Sequence, residues 1–477
     1  MIERVVRKAR HGAMTARERM IALFDPDSFL EWGEHVEPVI QSFGPQPEEA
    51  SGDGVIAGSG RIGGKLAFAF AQDFSVLEGT LGERGAQKII ELIDRAVDAG
   101  APVIGLLHSN GARLSEGIGS LEAGTLVFQR YIVYAGRIPF IAVAMGFCSG
   151  FPAYLAALSD VVIMVERTSF LVTTSPAVIR AATGQQVRLP ELGGAKTHSE
   201  ISGVAHLTAP SEPEALKLAR DAVGYLSPPS LRHPTLPPAP PCPPLPKNPA
   251  LAYDVLPLVH SVADDGEFLE LSARWARNVV TGFLRIGGRA VGVIANQPLW
   301  ESGAVTVKSA RKMTRFIKLC DAFGLPLLFL VDVPGILPGV GPEHEGILSA
   351  GAEYYRSLNT EVPRLTLVTR KCYGGAYGLL NSKQGGGAFV LAYPEARIGV
   401  AGAAVAMQIL GQGIDDPSRL AELARDWEQR GESVLAAARR GVIDRIIDPL
   451  RTREELHAAL SHFPDRSTSC LRRSGWA

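Results

Sequence analysis

Apolar residues follow two patterns along this chain, and the two patterns alternate. Short β-branched runs bounded by turn residues, such as residues 161–165 and 365–369, are typical of buried strands. Elsewhere the spacing is helical: Ile89, Ile93 and Val97 place apolar side chains on one face of a predicted helix. Alternation of strands and helices predicts an α/β fold with mostly parallel strand pairing.

The pattern gives a specific set of elements. Predicted strands cover residues 65–71, 102–107, 140–145, 161–165, 291–294, 327–331, 365–369, 389–391 and 397–400. Predicted helices cover residues 86–99 and 308–323, and an amphipathic helix runs through residues 15–20 and ends at Asp25.

The sequence repeats itself at one fixed offset. Arg61-Ile-Gly-Gly-Lys65 recurs 224 residues later as Arg285-Ile-Gly-Gly-Arg289. Residues 264–268 also echo residues 25–29, although they lie 239 positions later. A period this long indicates two copies of one domain and not a solenoid of short units. The further pairs at this offset are Lys88 and Lys312, Pro102 and Pro326, Gly111 and Gly335, Pro139 and Pro363, and Cys148 and Cys372.

Each copy has a glycine-containing turn between a predicted strand and a predicted helix. In the second copy the turn is Lys371-Cys-Tyr-Gly-Gly-Ala-Tyr377, and in the first it is Gly146-Phe-Cys-Ser-Gly-Phe-Pro152. Glycine lets the backbone turn sharply, and the first N–H groups of a helix have no partner within it. Such N–H groups can stabilise an oxygen that becomes negative during a reaction, which is the chemistry of an oxyanion hole.

Composition excludes several classes of protein. A net charge of −1 gives no general attraction to nucleic acid or to an anionic membrane. The five cysteines are scattered, so neither a disulfide framework nor a metal site is expected. The N-terminus has no signal-peptide core, and no apolar run is long enough for a membrane span. We therefore expect a soluble, cytoplasmic protein from a reducing compartment.

A proline-dense stretch divides the chain. Residues 237–244 contain six prolines around Cys242, and proline favours extended, hydrogen-bond-poor conformations. The predicted organisation is an N-terminal domain over residues 1–225, a linker over 226–252 and a C-terminal domain over 253–477.

Taken together, these motifs resemble the carboxyltransferase (beta) subunit of biotin-dependent acyl-CoA carboxylases of the propionyl-CoA type. The resemblance covers nearly the whole chain. In the first half it rests on Thr15-Ala-Arg-Glu-Arg19, Gln72-Asp-Phe74, Leu81-Gly-Glu83, Gly111-Ala-Arg113 with Glu116-Gly117, Glu191-Leu-Gly-Gly-Ala195 and Ser202-Gly-Val-Ala-His206. In the second half it rests on Ala295-Asn-Gln-Pro298, Cys320-Asp-Ala-Phe323, Asp332-Val-Pro-Gly335 and Tyr373-Gly-Gly-Ala-Tyr377.

The resemblance implies a duplicated crotonase-type fold and an enzyme whose first half binds acyl-CoA. It implies that the second half receives carboxybiotin, and that active sites form between different protomers of a homo-oligomer, usually a hexamer. No biotin-attachment Met-Lys-Met occurs in the sequence, so the biotin belongs to a separate biotin carboxylase/biotin carboxyl carrier subunit.

The resemblance also assigns residues. The N–H groups of Gly375 and Ala376 would stabilise the enolate-like oxygen of biotin, and the Gly150-Phe151 turn would stabilise the thioester enolate. Substrate-binding residues would be Gly111, Ala112 and Arg113 near CoA, with Gly374, Tyr377 and Gly378 in the second half.

The chain departs from the family pattern mainly in the first-half turn. The family sequence Cys-Ala-Gly-Gly-Ala is here Cys148-Ser-Gly-Phe-Pro152. Phe151 is bulky, and Pro152 has no N–H, so one donor is expected to be missing. Other departures are Asn110, Ser175, Ala177, Ala350 and Glu353; the small Gly378 suggests room for an acyl chain.

These departures leave alternatives open. The protein could decarboxylate or transfer an unusual acyl thioester, or it could be a non-catalytic subunit that binds CoA or the carrier. For other candidate residues we expect structural roles. His198 and His206 are expected to be hydrogen-bonded structural residues, and Cys148 and Cys372 are expected to be buried thiols. Asp332 is expected to cap a loop, and a solvated helix face is expected to contain Lys308, Arg311, Lys312 and Arg315. Arg113 fits a CoA contact or an ion pair equally well.

Overall fold

The structure is a computed structural model, and it describes residues 14–39, 51–227 and 236–464. The chain divides into two compact units with the boundary between Ser227 and Pro228. Residues 1–13 and the tail from residue 465, which were considered in the sequence analysis, lie outside the described residues.

The first unit alternates strands and helices. Its elements are α1 (Ala16–Leu23), β1 (Leu30–Trp32), β2 (Val55–Ile62), β3 (Lys65–Gln72), α2 (Glu83–Ala99), β4 (Val103–Ser109), α3 (Ile118–Tyr134), β5 (Phe140–Ser149), α4 (Phe151–Leu158), β6 (Val161–Val165), β7 (Phe170–Val172), α5 (Pro176–Thr183), α6 (Leu189–Gly193), α7 (Ala195–Thr197), a π-helical turn (His198–Ser202), β8 (Leu207–Ala209) and α8 (Glu212–Leu226). Short 3₁₀ turns cover Ser51–Gly54, Leu77–Gly79 and Leu114–Glu116.

The second unit follows the same plan. Its elements are α9 (Leu256–Val262), β9 (Phe268–Leu271), β10 (Val279–Ile286), β11 (Arg289–Asn296), α10 (Val307–Ala322), β12 (Leu327–Val333), α11 (Val340–His344), α12 (Ile347–Ser357), β13 (Arg364–Tyr373), α13 (Ala376–Leu379), β14 (Phe389–Ala392), β15 (Arg397–Gly399), α14 (Ala403–Leu410), α15 (Pro417–Arg430), α16 (Val434–Arg439), β16 (Arg445–Ile446) and α17 (Thr452–Ser461). Its 3₁₀ turns are Asp264–Gly266, Glu301–Gly303, Lys383–Gly385 and Pro449–Arg451.

Each unit is built on one eight-stranded sheet. The first sheet has the order β1-β2-β3-β4-β5-β6-β8 with β7 beside β5, and the second has β9-β10-β11-β12-β13-β14-β16 with β15 beside β13. The first three strands of each sheet pair antiparallel and the others pair parallel. The predicted α/β class with mostly parallel pairing is therefore confirmed.

The register of the strands reproduces the sequence repeat. Ser109 pairs with Cys148 in the first sheet, and Val333 pairs with Cys372, each residue 224 positions later, in the second. Both pairings follow an irregularity in the register at the carboxyl ends of the strands. The two units therefore deliver their loops from equivalent positions of equivalent sheets.

The repeated Arg-Ile-Gly-Gly motif forms a hairpin turn in both units. Residues 63–64 and residues 287–288 are glycines with positive φ, which suits a two-residue turn between antiparallel strands. The carboxylate of Asp25 accepts both N–H groups of the first turn, and the carboxylate of Asp264 accepts both of the second. The echo between residues 25–29 and 264–268 thus has a structural cause.

The prediction of a solvated basic face on helix α10 is wrong for Lys312. Its side chain is buried, and its ammonium group donates to the carbonyl oxygens of Ser272, Trp275 and Val279 at 2.6–3.0 Å. Lys88 donates to carbonyl oxygens, including that of Gly52, in the same way in the first unit. Burial lowers the pKa of both amines, and the Glu270 carboxylate opposes this shift at Lys312. Of the other predicted face residues, Lys308 and Arg311 are exposed and Arg315 is half-buried.

The proline-rich segment packs on the second unit from residue 236 onwards. Leu236, Cys242 and Leu245 contact that unit's apolar core. Prolines lack N–H groups but keep carbonyl oxygens, and here the Pro238 oxygen accepts the N–H of Asp265 at 2.7 Å. Residues 236–252 are therefore not a free-standing linker.

Most predicted elements are present, with longer strands than the pattern suggested. Strand β5 continues to Ser149 and strand β13 to Tyr373, so the opening residues of both predicted turns are still in the sheet. Within the part of the chain that the structure describes, no helix is long and apolar enough to cross a membrane.

Candidate functional site

The two strand-to-helix turns have the same backbone arrangement. Gly150, after β5, has φ +66° and donates its N–H to the carbonyl oxygen of Val172 at 2.9 Å. Gly374, after β13, has φ +60° and donates its N–H to the carbonyl oxygen of Gly399 at 3.0 Å. A positive φ favours glycine at both positions. In each unit the turn is thus fixed to the short strand beside it, β7 or β15.

This arrangement removes Gly150 from the expected donors, because its N–H already has an acceptor. In the first unit the N–H of Phe151 is next along the chain, and Pro152 has none. In the second unit the N–H groups of Gly375 and Ala376 follow Gly374. Among the described residues, none of these three remaining N–H groups donates to an acceptor. The first turn therefore offers one donor and the second offers two.

The two donors of the second turn differ in exposure. Gly375 is exposed, whereas Ala376 is fully buried, with 0% of its surface accessible. A buried N–H without an acceptor is costly, because it has lost water without gaining a partner. Helix α13 has only four residues, so the individual N–H groups matter here more than a helix dipole. The Gly375–Ala376 pair thus provides two adjacent N–H donors that have no acceptor among the described residues.

A second loop lies beside each turn. Ala112 forms an isolated parallel bridge with Leu81, and Ile336 forms the equivalent bridge with Val305. The neighbours of Ala112 and Ile336 make the bridge hydrogen bonds, which leaves the N–H groups of these two residues without an acceptor in the described chain. Each unit therefore has one additional unpaired N–H in the loop that follows its β4 or β12 strand.

Gly111 places the first of these loops close to its turn. A methyl group added at Gly111 would lie 2.9 Å from the carbonyl oxygen of Ser149, the last residue of β5, and Gly111 has φ +100°. The residue is buried, and Ala112 beside it is half-buried. The expected neighbourhood of Gly111, Ala112 and the Gly150–Phe151 turn is thus present in the first unit.

Arg113, in contrast, does not face a ligand. Its guanidinium group is buried, pairs with the Asp53 carboxylate and with that of Glu116 at 2.8 Å, and donates to the carbonyl oxygen of Thr80 at 2.7 Å. Burial raises the pKa of Asp53, and Arg113 opposes that shift. Of the two interpretations of Arg113, these contacts support the structural ion pair.

The bulk of Phe151 is accommodated by helix α3. Its ring stacks on Phe128 with centroids 4.5 Å apart, and a methyl group added at Gly124 would lie 3.0 Å from the Phe151 ring. The side chain therefore has a packed position of its own. What remains of the departure in this turn is the missing N–H of Pro152.

Gly378 does not leave the empty space that its size suggested. A methyl group added there would lie 2.7 Å from the hydroxyl oxygen of Tyr355, on helix α12. That hydroxyl also donates to the carbonyl oxygen of Gly375 at 3.4 Å. Tyr377, one residue earlier, is half-buried, and its hydroxyl is buried without a hydrogen-bond partner in the described chain.

Asp332 is a buried structural residue. Its carboxylate accepts the N–H of Lys371 at 3.2 Å and lies 3.6 Å from the charged groups of both Arg370 and Lys371. Burial raises its pKa, and the two cations oppose that shift. Arg370 in turn donates to the carbonyl oxygens of Asn248 and Leu251 in the proline-rich segment.

The cysteines and histidines have the expected structural roles. Cys148 and Cys372 are buried, and burial raises the pKa of each thiol to about 12. His198 bonds Ser202 and the carbonyl oxygen of Leu171, and His206 accepts the N–H of Val162. None of these side chains is placed as a nucleophile or a general base.

Two residues of this neighbourhood were missed by the sequence analysis. Ile336 is Ala112 displaced by the repeat offset, so the offset alone could have identified it. No sequence motif indicated Tyr355, because this residue approaches the turn from a separate helix, α12.

Comparison with known proteins places the chain in a family. The carboxyl transferase domain model matches residues 7–472. The propionyl-CoA carboxylase beta chain of Roseobacter denitrificans is 39% identical over 96% of this chain and 92% of its own length. The human mitochondrial propionyl-CoA carboxylase beta chain is 40% identical over 95% of this chain and 86% of its own.

Solved structures agree. A crystal structure of transcarboxylase 12S, a hexamer with hydrolysed methylmalonyl-coenzyme A bound, superposes with a TM-score of 0.92 at 35% identity. The superposition covers 99% of this chain and 94% of that one, and it supports the duplicated crotonase-type fold expected from the sequence. The chain therefore belongs to the carboxyl transferase domain family.

Proposed function

We propose that this protein is the carboxyltransferase subunit that moves a carboxyl group from carboxybiotin, on a separate carrier, to the α-carbon of an acyl-CoA. The observation that supports this function is the pair of unpaired N–H groups at Gly375 and Ala376. Carboxylases and a transcarboxylase are among the relatives that match nearly the whole chain.

The second unit is proposed as the biotin side. Bound carboxybiotin would supply the carboxyl group and, after losing it, a base for the α-proton of the thioester. The chain's part is to hold the ureido oxygen while negative charge grows on it. The Gly375 and Ala376 N–H groups fit this task, because fixed donors need no reorganisation when the charge appears. Gly374 turns the backbone ahead of the pair, and Tyr377, proposed as a substrate-binding residue, follows it.

The first unit is proposed as the acyl-CoA side. Here the Phe151 N–H and the Ala112 N–H are the donors available to a thioester oxygen as it becomes an enolate. Gly111 keeps their two loops close together. The α-proton of a thioester is released only when the enolate is stabilised, and holding both partners in place lowers the barrier further.

We extend the proposal to organisation and partners. Residues 1–225 and 253–477 are the two domains, and the connecting residues 226–252 pack on the second unit from residue 236 onwards. The partner is a biotin carboxylase/biotin carboxyl carrier subunit. A homo-oligomer, by analogy with the transcarboxylase hexamer, would bring the two kinds of site together between protomers. The free thiols of Cys148, Cys320 and Cys372 suit a reducing, cytoplasmic location.

A second function is favoured by Pro152 alone. With one donor fewer than the second turn, the first turn gives less support to a thioester enolate. This difference favours transfer of an unusual acyl group, or binding of CoA or the carrier by a non-catalytic subunit. Decarboxylation of a carboxyacyl thioester, the other alternative, forms the same enolate and needs the same donors.

The test uses the purified protein with methylmalonyl-CoA and free biotin, with a sample lacking biotin as the control. Mass spectrometry follows loss of the carboxyl group and formation of carboxybiotin. Biotin-dependent transfer supports the carboxyltransferase in its reverse direction. Loss of CO₂ at the same rate without biotin contradicts it and indicates a decarboxylase. Binding of the CoA ester without turnover rules out methylmalonyl-CoA as a substrate and indicates either a different acyl group or a binding subunit.

A further inference from the structure

Tyr355 approaches the second turn from outside it. The residue is near the end of helix α12, and half of its surface is exposed, at 50%. Its hydroxyl donates to the carbonyl oxygen of Gly375 at 3.4 Å. The same peptide unit that contains this carbonyl also contains the N–H of Ala376. A contact at one end of a planar peptide therefore acts on the other end.

We propose that Tyr355 is a positioning residue for the Ala376 N–H, through its hydrogen bond to the Gly375 carbonyl oxygen. This inference rests on the proposed function, because it concerns a donor to the oxygen of biotin. A hydrogen bond to a carbonyl oxygen fixes the peptide plane and polarises the N–H on its far side.

Helix α13 needs such external support. It has four residues, a length at which a helix is not stable by itself. In the described chain, the N–H groups that the Gly375 carbonyl oxygen accepts are those of Gly378, at 3.2 Å, and Leu379, at 3.4 Å, both in that short helix. Tyr355 adds a donor from α12, a different helix, and so connects the turn to the body of the unit.

Gly378 is the complement of Tyr355. An added methyl group there would lie 2.7 Å from the hydroxyl oxygen but 3.6 Å from the nearest ring carbons. Alanine at this position therefore conflicts with the hydroxyl and not with the ring. Since Gly378 does not have a positive φ, alanine is compatible with its backbone. Tyr355→Phe and Gly378→Ala are therefore two independent ways to remove the hydrogen bond between the Tyr355 hydroxyl and the Gly375 carbonyl oxygen.

The experiment compares four variants of the full chain with the wild type: Tyr355→Phe, Gly378→Ala, both together, and Tyr354→Phe as the matched control. Tyr354 is the neighbour of Tyr355 on α12, but its hydroxyl is buried and has no hydrogen-bond partner in the described chain. Tyr354→Phe therefore removes a hydroxyl oxygen, as Tyr355→Phe does, but removes no hydrogen bond to the turn.

The first readout is hydrogen–deuterium exchange of the peptide that contains the second turn, in the absence of biotin and CoA. We expect Tyr355→Phe and Gly378→Ala to speed exchange at the turn about threefold or more, as expected for the loss of one hydrogen bond. The Tyr354→Phe control should exchange like the wild type. Equal exchange in Tyr355→Phe and the control would overturn the inference.

The second readout is biotin-dependent carboxyl loss from methylmalonyl-CoA. We expect Tyr355→Phe to lower kcat about three- to tenfold and to leave KM for the CoA ester unchanged. The lost hydrogen bond supports a donor to the biotin oxygen, which becomes negative during the reaction, and does not contact the CoA ester. Gly378→Ala should lower kcat similarly, and the double variant should lower it no further. Independent, multiplying effects would contradict a shared hydrogen bond.

The two proposals fail in different ways. If the wild type shows no biotin-dependent transfer while Tyr355→Phe still speeds exchange, the carboxyltransferase function is wrong and the structural link between Tyr355 and the turn stands. If the wild type transfers and Tyr355→Phe matches the control in both readouts, the function stands and the role of Tyr355 is wrong.

Discussion

Gly150 and Gly374 turn the chain in the same way, yet the turns that they begin present different numbers of donors. Both glycines have φ near +60° and both give their N–H to a neighbouring short strand. Within the residues that the structure describes, two N–H groups without acceptors follow Gly374, whereas one follows Gly150 before Pro152. The comparison shows that the backbone path and the hydrogen-bonding capacity of a turn are set by different residues.

The two units also differ in where their buried ion pairs lie. In the first unit Arg113, Asp53 and Glu116 form an ion network behind the loop that contains Ala112. The second unit has Leu337 at the position equivalent to Arg113, and in that unit Arg370 and Lys371 form a buried ion cluster with Asp332 on the sheet. The loop of the first unit therefore depends on electrostatics that the loop of the second does not need.

The largest effect is expected from Arg113→Met. Removing the cation leaves the Asp53 and Glu116 carboxylates buried without their partner, which typically costs about 3–5 kcal/mol. Chemical denaturation should show this loss in the free energy of unfolding. The control Arg130→Met breaks the half-buried, solvent-accessible pair with Asp94 and should cost about 1 kcal/mol or less. Equal losses of unfolding free energy in both variants would show that the Arg113 ion pairs contribute no more to stability than the Arg130–Asp94 pair.

The same variant should depend on pH in a defined direction. Burial already raises the pKa of Asp53 in the folded protein, and Arg113→Met removes the cation that opposes this shift. A carboxyl group whose folded pKa is raised favours folding while it is protonated, and that contribution is lost as pH rises through the folded pKa. Arg113→Met should therefore be less destabilised at acidic than at alkaline pH, as thermal unfolding across pH would show.

Ala376→Pro would convert the second turn into a copy of the first. The chain already tolerates proline at the equivalent place, Pro152, so the fold should persist. Loss of one oxyanion donor typically costs about 10²–10³ in rate, and we expect biotin-dependent transfer to fall by that factor. Ala376→Gly keeps the N–H and is the control. An active Ala376→Pro enzyme would exclude this N–H from the chemistry.

Pro152→Ala is the opposite change, and it should add a donor to the first turn. We expect kcat/KM for methylmalonyl-CoA to rise about tenfold, a part of what a well-placed donor supplies. Pro190→Ala, at the start of helix α6 in the same unit, controls for general effects of proline removal. The double variant Phe151→Gly with Pro152→Ala tests whether the ring, stacked on Phe128, also matters. No gain in either variant would mean that the missing N–H does not limit the reaction.

The smallest effects are expected where the two turns are alike. Cys148 and Cys372 are equivalent, buried and held as thiols, since burial raises the pKa of each to about 12. Neither should react with N-ethylmaleimide in the folded protein at pH 8, although both should react after denaturation. Cys372→Ala should change transfer by less than about twofold, a neutral result expected for a small buried side chain. Rapid labelling or a large loss of transfer would reopen a role for the thiol.

The sequence was sufficient for the α/β class, the duplication and the location of both turns, because strand periodicity and a fixed repeat offset are local, countable signals. It was not sufficient for Arg113 or Lys312, whose partners, such as Asp53 and Ser272, come from distant parts of the chain. Helical position alone could not show that Lys312 is directed into a ring of carbonyl oxygens. The bonds of Gly150 and Tyr355 likewise depend on neighbouring elements that meet only in the fold.

The single-residue difference between Pro152 and Ala376 has a genetic consequence. Every alanine codon becomes a proline codon by one base change, so a duplicated gene can lose a hydrogen-bond donor in one copy through a single point mutation. Gly150 and the pairing of its strand are untouched by that change, so the protein would still fold and be inherited. A turn of this kind lets natural selection adjust chemistry in one half of a duplicated enzyme while the other half keeps both donors.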